Sequence, residues 1–504
     1  MFPKSLAIVA LMLAAAGAAC GAELVKVAPG VYFRPGDLAR GQCNGGYIVC
    51  DDGVIAIDAP NPEASAEMLA EAAKLSDKPL RYLVVTHGHW DHDGGIEPFV
   101  KKGVTLIVHE SLRQRYAEKN SAPGCIGVAD RIVLAQGGQV VELFTRGTTH
   151  SSTDLFTYLP KHGVLFCGDA VVSTQAAWLG ECDLQNWIDT LGHLASLKPA
   201  AVCPGHGPNG GPELIADFAA YLTSLRDEVA FSVCQGRNLE AALAQVKVPA
   251  SEKYTKPEGF ADHVKAAWKQ LTAPPPPRPD ALPAAPRALA VIGDHYHPPA
   301  YIRPPLEAAF RKIGLPVTFL HDVSKLDAEA LRGVRLLVVL RDGMIWPEND
   351  KDPAWWMTPE QEKLLSEFVR DGGGYLALHN STALRMLGPD ENAYREMLGC
   401  SYNGHGAGDE KFTVRVVDAS HPVTRGVSEY TAVDERHNPT MHAKDATVLL
   451  EAVSGGQRSV NGYVRAFGRG RVCHLANGHN IEVLSQPAMQ RLIGNAALWC
   501  CGLD

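Results

Sequence analysis

Four side chains that can bind a metal ion lie within six consecutive positions of this 504-residue sequence. They are His87, His89, Asp91 and His92. Imidazole and carboxylate groups together suit zinc, iron or manganese. A His-x-His pair can direct two imidazoles at one ion, while the Asp-His pair that follows can reach a second, neighbouring ion. The density of ligands therefore predicts a metal centre rather than a surface loop that happens to contain histidine.

The segment before this cluster must position it. Residues 80–85 are apolar and β-rich, which predicts a buried strand, so the ligands lie in the turn that leaves a strand. Loops at strand ends commonly carry chemistry on a rigid scaffold. Three later loops, each at the end of a predicted strand, offer His150, Asp169 and His206. Across residues 23–271, hairpin strands and then strands alternating with helices predict an α/β sandwich.

The elements of this sandwich follow from periodicity and turn signals. Strands are predicted at residues 25–33, 46–49, 54–57, 80–85, 106–109, 140–144, 155–159 and 164–167. Helices are predicted at residues 64–75, 111–119, 184–197, 213–226, 239–246 and 261–271. Cys43 and Cys50 are one candidate disulfide pair if the protein meets oxidising conditions.

About residues 24–270 resemble the metallo-β-lactamase-fold hydrolase superfamily. The His-x-His-x-Asp-His signature of that family stands here at residues 87–92, and its later ligands match His150, Asp169 and His206. The resemblance implies two zinc ions, with iron or manganese as alternatives. It assigns one ion to His87, His89 and His150, the other ion to Asp91, His92 and His206, and the bridging position to Asp169. With an Asp at the bridging position, the ligand set resembles that of the glyoxalase II-like branch, because the dizinc β-lactamases lack an Asp there.

Hydrolysis is the reaction that the resemblance implies. A metal-bound hydroxide would attack an ester, thioester, lactone or amide, and Asp91 would be the catalytic residue that takes or relays the water proton. Substrate choice would lie in loops such as residues 171–182, where Trp178 is a candidate wall. Residues 151–154 read Ser-Ser-Thr-Asp, whereas many relatives have Gly before the Asp. The shape of the loop after His150 is therefore open.

A proline-rich linker predicts a second domain in the second half of the chain. The predicted order is a signal peptide at 1–22, the sandwich domain at 23–271, the linker at 272–287 and a second domain at 288–504. In this domain, strands at 288–293, 317–320, 336–340 and 375–378 alternate with helices at 305–313 and 359–370, which predicts a mostly parallel, doubly wound sheet. Later strands are predicted at 412–417, 447–452, 464–467 and 471–475. Thr358 and Gln361 predict a capping box.

Residues 288–504 are similar to the ThuA-like (trehalose utilisation) family, which has a flavodoxin-like, class I glutamine-amidotransferase-like fold. The pieces that carry this resemblance are residues 372–379, 421–423, 434–437 and 468–480. Glutamine amidotransferases place a nucleophilic Cys where His379 stands here, so amidotransfer is not expected. His379, Glu435 and His479 either form a second-domain pocket or cap strand ends. The resemblance implies a carbohydrate-related ligand.

Two alternatives to hydrolysis stay open. An iron-dependent redox enzyme of the persulfide dioxygenase type would keep the same ligands. A flavodiiron-like enzyme fits less well, because those proteins have Glu at the position of His89 and need a phosphate cradle that residues 293–299 lack. The second domain could also be a binding or assembly module without catalysis.

The net charge and the N-terminal segment indicate which partners the protein binds and where in the cell it works. The net charge is −9 and no long Lys/Arg run occurs, which argues against a nucleic-acid partner. The resemblance to hydrolases implies a small-molecule substrate instead. Lys4 and the apolar run at 6–19 predict a signal peptide. The mature protein is expected to be periplasmic or secreted, without a transmembrane segment. A lipoprotein anchored at Cys20 is less favoured, because Gly17 stands where such signals usually have Leu.

Overall fold

The computed structural model describes residues 23–120, 124–274, 286–348, 352–384 and 392–504. The predicted signal peptide and most of the predicted linker lie outside these residues. In the described part of the chain, no helix is both long and apolar enough to cross a bilayer.

The chain divides into two compact units. One contains the described residues up to Ala220 together with Glu252–Lys256, and the other contains Tyr221–Ser251 and Pro257–Asp504. The second unit therefore includes helical residues before 271 that the sequence analysis placed in the first domain. The predicted domain bounds stay a prediction.

Up to residue 271, the described chain forms the strands and helices of an α/β sandwich and its flanking helices. The strands are β1 Val25–Ala28, β2 Val31–Arg34, β3 Gly45–Cys50, β4 Gly53–Ile57, β5 Leu80–Val84, β6 Thr105–His109, β7 Cys125–Val128, β8 Arg131–Gln136, β9 Gln139–Phe144, β10 Phe156–Leu159, β11 Val164–Val172 and β12 Ala201–His206. The helices are α1 Pro62–Leu75, α2 Trp90–Asp93, α3 Ile96–Lys101, α4 Glu110–Asn120, α5 Leu184–Ser196, α6 Glu213–Cys234, α7 Leu239–Gln245, α8 Ser251–Tyr254 and α9 Pro257–Leu271.

Two sheets pack face to face in the first unit. One has the order β1-β2-β3-β4-β5-β6-β7, and the other has the order β12-β11-β10-β9-β8. Side chains of β4 alternate between two cores, as the two-residue period of a strand requires. Ile55 and Ile57 join the core between the sheets, whereas Val54 and Ala56 pack in the core that includes Met68 of α1. The predicted α/β sandwich is confirmed.

Three local predictions for this unit are wrong. Residues 25–33 form two antiparallel strands instead of one, because the chain turns at Gly30, whose φ of +73° favours glycine. Strand β11 continues to Val172, past the predicted end at residue 167, because it pairs with β12 along this stretch. Cys43 and Cys50 are both free thiols and form no disulfide with each other.

The second unit contains a large sheet, two short ribbons and helices on both faces of the large sheet. Its described strands are β13 Ala288–Ile292, β14 Val317–Leu320, β15 Leu336–Leu340, β16 Met344–Ile345, β17 Ala354–Trp355, β18 Gly374–Leu378, β19 Cys400–His405, β20 Glu410–Val416, β21 Tyr430–Asp434, β22 His437–Met441, β23 Thr447–Ser454, β24 Gln457–Phe467 and β25 Gly470–Leu475. Its later helices are α10 Pro299–Lys312, α11 Pro359–Arg370, α12 Ala393–Leu398, α13 Ile481–Ser485 and α14 Pro487–Cys501.

The large sheet has the order β14-β13-β15-β18-β25-β24-β23-β20-β21. The first five strands in this order are parallel, and the other four pair antiparallel. The doubly wound fold class is confirmed, but the sheet is mixed rather than mostly parallel. Helix α10 begins at Pro299 instead of residue 305 and holds two prolines inside it. Leu289 and Ala290 of β13 face different cores, so both faces of the sheet are covered.

The predicted capping box at the start of α11 is confirmed. The Thr358 hydroxyl accepts a hydrogen bond from the Gln361 backbone N–H at 3.2 Å, and the Gln361 side chain accepts one from the Thr358 N–H at 3.1 Å. Loss of an N-cap side chain typically costs about 1 kcal/mol.

We expect Thr358→Ala to weaken the first turn of α11 by this amount, which corresponds to roughly fivefold faster amide exchange there. Hydrogen–deuterium exchange of peptides covering residues 358–371 measures the effect. Thr358→Ser, which keeps the hydroxyl, serves as the control. Equal exchange in the Ala variant and the native chain would contradict the prediction.

Candidate metal centre

The first ligand cluster is held at the end of β5. The chain leaves this strand through the buried Thr86, and His87 and His89 follow in extended and turning backbone. His89 is the N-cap residue of α2, so Asp91 and His92 lie in the first turn of that short helix. The structure thus confirms the predicted strand and the turn after it.

Three imidazoles form the first of two groups in this cluster. His89 Nδ1 lies 3.0 Å from His87 Nε2 and 3.0 Å from His150 Nε2. Ligands of a tetrahedral zinc ion, at bond lengths of about 2.0–2.1 Å, stand about 3.4 Å from one another. Three imidazole nitrogens at this spacing could hold one ion.

A carboxylate and two imidazoles form the second group. His206 Nε2 lies 3.1 Å from Asp91 Oδ2, and His92 Nε2 lies 3.8 Å from the same oxygen. His206 reaches this point because it ends β12, on the opposite sheet from β5. The three atoms have the spacing expected of ligands to a second ion.

Asp169 of β11 stands between the two groups. Its Oδ1 lies 3.2 Å from His92 Nε2 and 3.5 Å from His206 Nε2, whereas its Oδ2 lies 3.7 Å from His150 Nε2. One carboxylate oxygen therefore faces each group. Gly205 leaves room for this carboxylate, since a Cβ there would lie 2.0 Å from Asp169 Oδ1.

The chemistry of these residues fits two metal ions. Asp169 Oδ1 and His92 Nε2 are buried without a hydrogen-bond partner although they lie 3.2 Å apart. Burial raises the pKa of the Asp169 carboxyl, but His206 and His92 beside it hold the pKa well below its usual range. Burial lowers the pKa of the His87 imidazole well below its usual value. Burial also lowers the pKa values of His92 and His206, but Asp169 and, for His92, Cys43 raise them above the usual value. A metal ion, which binds ionised carboxylates and neutral imidazoles, would displace the protons from these two rings.

The second unit brings together the three residues that were predicted to share a pocket. His379 Nε2 lies 3.4 Å from Glu435 Oε2, and His479 Nδ1 lies 3.7 Å from the same oxygen. A fourth residue, His297, joins them with its Nε2 3.1 Å from His479 Nδ1. The sequence analysis quoted the loop containing His297 but assigned it no role.

His379 occupies a strained turn directly after β18. Its φ is +46°, which is uncommon for a residue with a side chain. The imidazole is therefore held in a tight turn at the end of a parallel strand.

Comparison with known proteins gives one family match in each half of the chain. Residues 38–206 match the family model described as Metallo-beta-lactamase superfamily, and residues 284–500 match the model ThuA, described as Trehalose utilisation. The chain joins a metallo-beta-lactamase superfamily domain to a ThuA domain.

Individual relatives match the first domain. The chain is similar to a protein named Metallo-beta-lactamase type 2 from Bacteroides fragilis, with 27% identity over 178 residues, 34% of this chain and 72% of that protein. A protein of the same name from Bacillus sp. (strain 170) is 24% identical over 179 residues, 34% of this chain and 69% of that protein. Among solved structures, a metallo-beta-lactamase from Pontibacter korlensis is 27% identical with a TM-score of 0.36 and covers 40% of this chain and 98% of its own. The family model and the two named relatives indicate a metallo-hydrolase.

Asp58 supports His92, one of the ligand candidates of the metallo-beta-lactamase domain, and the sequence analysis missed it. It follows β4 with a φ of +59° and is buried. Its Oδ2 accepts hydrogen bonds from His92 Nδ1 at 2.8 Å and from the Thr86 hydroxyl at 2.8 Å, and its Oδ1 accepts one from the Thr86 N–H at 2.7 Å. Such a carboxylate fixes the tautomer and orientation of a ligating imidazole. In the sequence, Asp58 is only the residue that follows the predicted strand at 54–57.

The loop that carries His150 is stabilised despite its departure from the usual family pattern. Asp154 accepts hydrogen bonds from the Thr149 hydroxyl and from the backbone N–H and hydroxyl of Ser151, the last two at 2.9 and 2.8 Å. His150 Nδ1 in turn lies 3.1 Å from the Trp178 carbonyl oxygen, which orients Nε2 toward the cluster.

A cleft of about 400 Å³ opens onto the cluster in the metallo-beta-lactamase domain. Its walls include the ligand candidates together with Trp90, Trp178 and Glu181. The two indole rings are 68% and 47% exposed, so apolar surface is available to a bound molecule. His109 and His162, which were given no metal role, bond to Ser111 and Gln139 instead.

We expect Asp58→Asn to lower zinc affinity by roughly 10- to 100-fold, the usual cost of losing a carboxylate behind a ligating imidazole. The amide cannot accept from His92 and from both Thr86 donors as the carboxylate does. Competition titration against a chromophoric chelator measures the affinity.

Asp93→Asn is the matched control, because the Asp93 carboxylate bonds to Arg115 and Tyr116 of α4. It should leave zinc affinity unchanged. Native affinity in the Asp58 variant would show that this carboxylate does not orient a ligand.

Proposed function

We propose that the metallo-beta-lactamase domain is a dinuclear zinc hydrolase acting on an ester, thioester, lactone or amide. The observation that carries this proposal is the position of Asp169, whose two oxygens face the two ligand groups separately. His87, His89 and His150 would hold one ion, Asp91, His92 and His206 would hold the other, and Asp169 would bridge them. The metallo-hydrolase class of the relatives supports the same reaction.

The residues around the cleft have separate tasks in this proposal. Bound zinc ions would lower the pKa of a water molecule toward neutrality and polarise the substrate carbonyl. Burial raises the pKa of the Asp91 carboxyl, but the hydrogen bond from His206 and the charges of His92 and His206 together hold the pKa below its usual value. Asp91 lines the cleft and stays ionised at neutral pH, so it is the group we assign to receive a proton.

Substrate class follows from the cleft wall and the bridging carboxylate. The exposed rings of Trp90 and Trp178 and the exposed side chain of Leu38 line the cleft beside the ligands, which favours a substrate with an apolar acyl group. Asp169 supports a glyoxalase II-like ligand set and, with it, ester or thioester hydrolysis.

Hydrolysis of a β-lactam amide is the second candidate, because the two relatives described above are named as metallo-beta-lactamases. We propose it only as a weaker activity of the same site. Nothing in the comparisons supports the iron-dependent redox alternative.

Two further parts of the proposal concern the rest of the chain. A carbohydrate-related ligand for the ThuA domain is supported by the description of its family as Trehalose utilisation. Export to the periplasm or beyond is supported by the charge and apolar pattern of residues 1–22.

The deciding experiment compares zinc content and hydrolysis in the native chain and in Asp169→Ala. Removal of the bridging carboxylate should lower the zinc bound per chain and reduce hydrolysis by more than about a hundredfold, since even supporting residues of metal sites cost up to that factor. Aryl esters, acyl thioesters, lactones and a chromogenic cephalosporin are tested in parallel, with esters or thioesters expected to be fastest.

Asp189→Ala is the control, because Asp189 is exposed on α5 and bonds to Gln185. It should keep full zinc and full activity. The bridging assignment fails if Asp169→Ala also keeps both.

Trp178 offers a test of the substrate wall. Its ring centre lies 5.1 Å from that of His89, and the contact it makes with His150 through a backbone carbonyl survives substitution. Trp178→Ala should raise KM for long-chain acyl esters by about tenfold, from the loss of about 1.5 kcal/mol of apolar contact, with little change in kcat. Acetyl esters should be affected much less. An equal effect on both acyl lengths would mean that the ring does not contact the acyl chain.

A further inference from the structure

The histidine cluster of the ThuA domain has a placement that its fold explains. His297, His379 and His479 follow the carboxyl ends of β13, β18 and β25, which belong to the parallel half of the large sheet. Loops at these ends meet at one edge of a parallel sheet and commonly bind ligands there. Glu435 arrives from the antiparallel half, directly after β21.

The distances within this cluster are those of metal ligands. His297 Nε2 and His479 Nδ1 are 3.1 Å apart, and Glu435 Oε2 lies 3.4 Å from His379 Nε2 and 3.7 Å from His479 Nδ1. All four ligand atoms lie within 4.8 Å of one another. Tetrahedral coordination at about 2.0–2.1 Å gives separations of about 3.4 Å.

One ring nitrogen of His379, Nε2, is buried without a hydrogen-bond partner. Its Nδ1 lies 3.0 Å from the Ala476 carbonyl oxygen, which can only accept, so Nδ1 carries a proton. The buried Nε2 has no hydrogen-bond partner and faces the Glu435 carboxylate. A bare lone pair that faces a carboxylate oxygen in a buried site is unfavourable, so either a metal cation lies between the two atoms or His379 carries a second proton on Nε2.

A second ligand is oriented in the same way. His297 Nδ1 lies 2.8 Å from the buried Asp294 carboxylate, which directs its Nε2 toward His479. The Asp294 carboxylate also accepts a hydrogen bond from the Asn380 amide at 2.8 Å, which fixes its position. This arrangement of carboxylate, imidazole and inward nitrogen is the one that supports ligating histidines in metal sites.

We propose that the ThuA domain holds its own divalent transition-metal ion of the zinc type, bound by His297, His379, Glu435 and His479. Three imidazoles and one carboxylate form a donor set that suits zinc and its neighbours in the first transition row. The His379 side chain is fully buried, whereas that of His479 is 30% exposed, so the ion is reached from the His479 side. This site is independent of the proposed dinuclear centre.

The test is a metal count on the full chain. Native protein and Glu435→Gln are dialysed against Zn²⁺, and bound zinc per chain is measured by mass spectrometry. Glu435→Gln, which keeps the shape of the side chain, should lose one ion per chain relative to the native protein. His479→Gln should lose the same ion. His442→Ala should lose none, because His442 is an exposed histidine of the same domain that bonds to Ser401.

A second arm separates this site from the metallo-beta-lactamase centre. A chain with His89→Ala, Asp169→Ala and His206→Ala should keep one zinc ion, and adding Glu435→Gln should remove it. Co²⁺ loading should give a visible absorption band that disappears with the same change. Native zinc content in both Glu435→Gln and His479→Gln would overturn the proposal and leave a protonated His379 as the cation beside Glu435. If hydrolysis is lost while the zinc ion of the ThuA domain is retained, the result bears on the proposed function and not on this metal site.

Discussion

The first domain depends on burying carboxylates and imidazoles together at one end of its two sheets. Asp169 is buried with one oxygen unpaired toward His92, and Asp58 is buried behind the same imidazole. Burying such groups is costly unless they are paired or coordinate a metal. Gly205 leaves room for the Asp169 carboxylate, and the hydrogen bonds from Thr86 fix the Asp58 carboxylate. These contacts hold the buried side chains where two metal ions would offset the cost of burying them.

Both domains place chemistry at the carboxyl ends of strands, although their sheets differ. In the metallo-beta-lactamase domain, the ligand candidates that follow β5 and the one that ends β12 come from two opposed sheets, so the cluster closes across the end of a sandwich. In the ThuA domain, His297, His379 and His479 come from one sheet and lie along a single edge. The proposed ThuA site is therefore built by the order of parallel strands, while the dinuclear site is built by the packing of two sheets.

Local signals in the sequence were sufficient for much of this picture. The ligands at residues 87–92 are contiguous, and the capping box of α11 needs only Thr358 and Gln361, so both could be predicted. Asp58 could not be, because its role arises only when β4 lies parallel to β5 and brings it beside Thr86. His297 lies 82 residues before His379, as their numbers show, and only the strand order joins them. The mixed sheet was missed because the alternation of strands and helices that predicted parallel pairing ends before β20, and the later strands join the sheet antiparallel, mostly as hairpins between consecutive strands.

Anomalous diffraction from crystals of the zinc-loaded chain, with data at the zinc and iron edges, tests the dinuclear centre most directly. Two zinc peaks about 3.5–4 Å apart are expected between the His89 and His206 groups, with the Asp169 carboxylate between them. A single peak there, or a signal at the iron edge alone, would contradict a dinuclear zinc hydrolase.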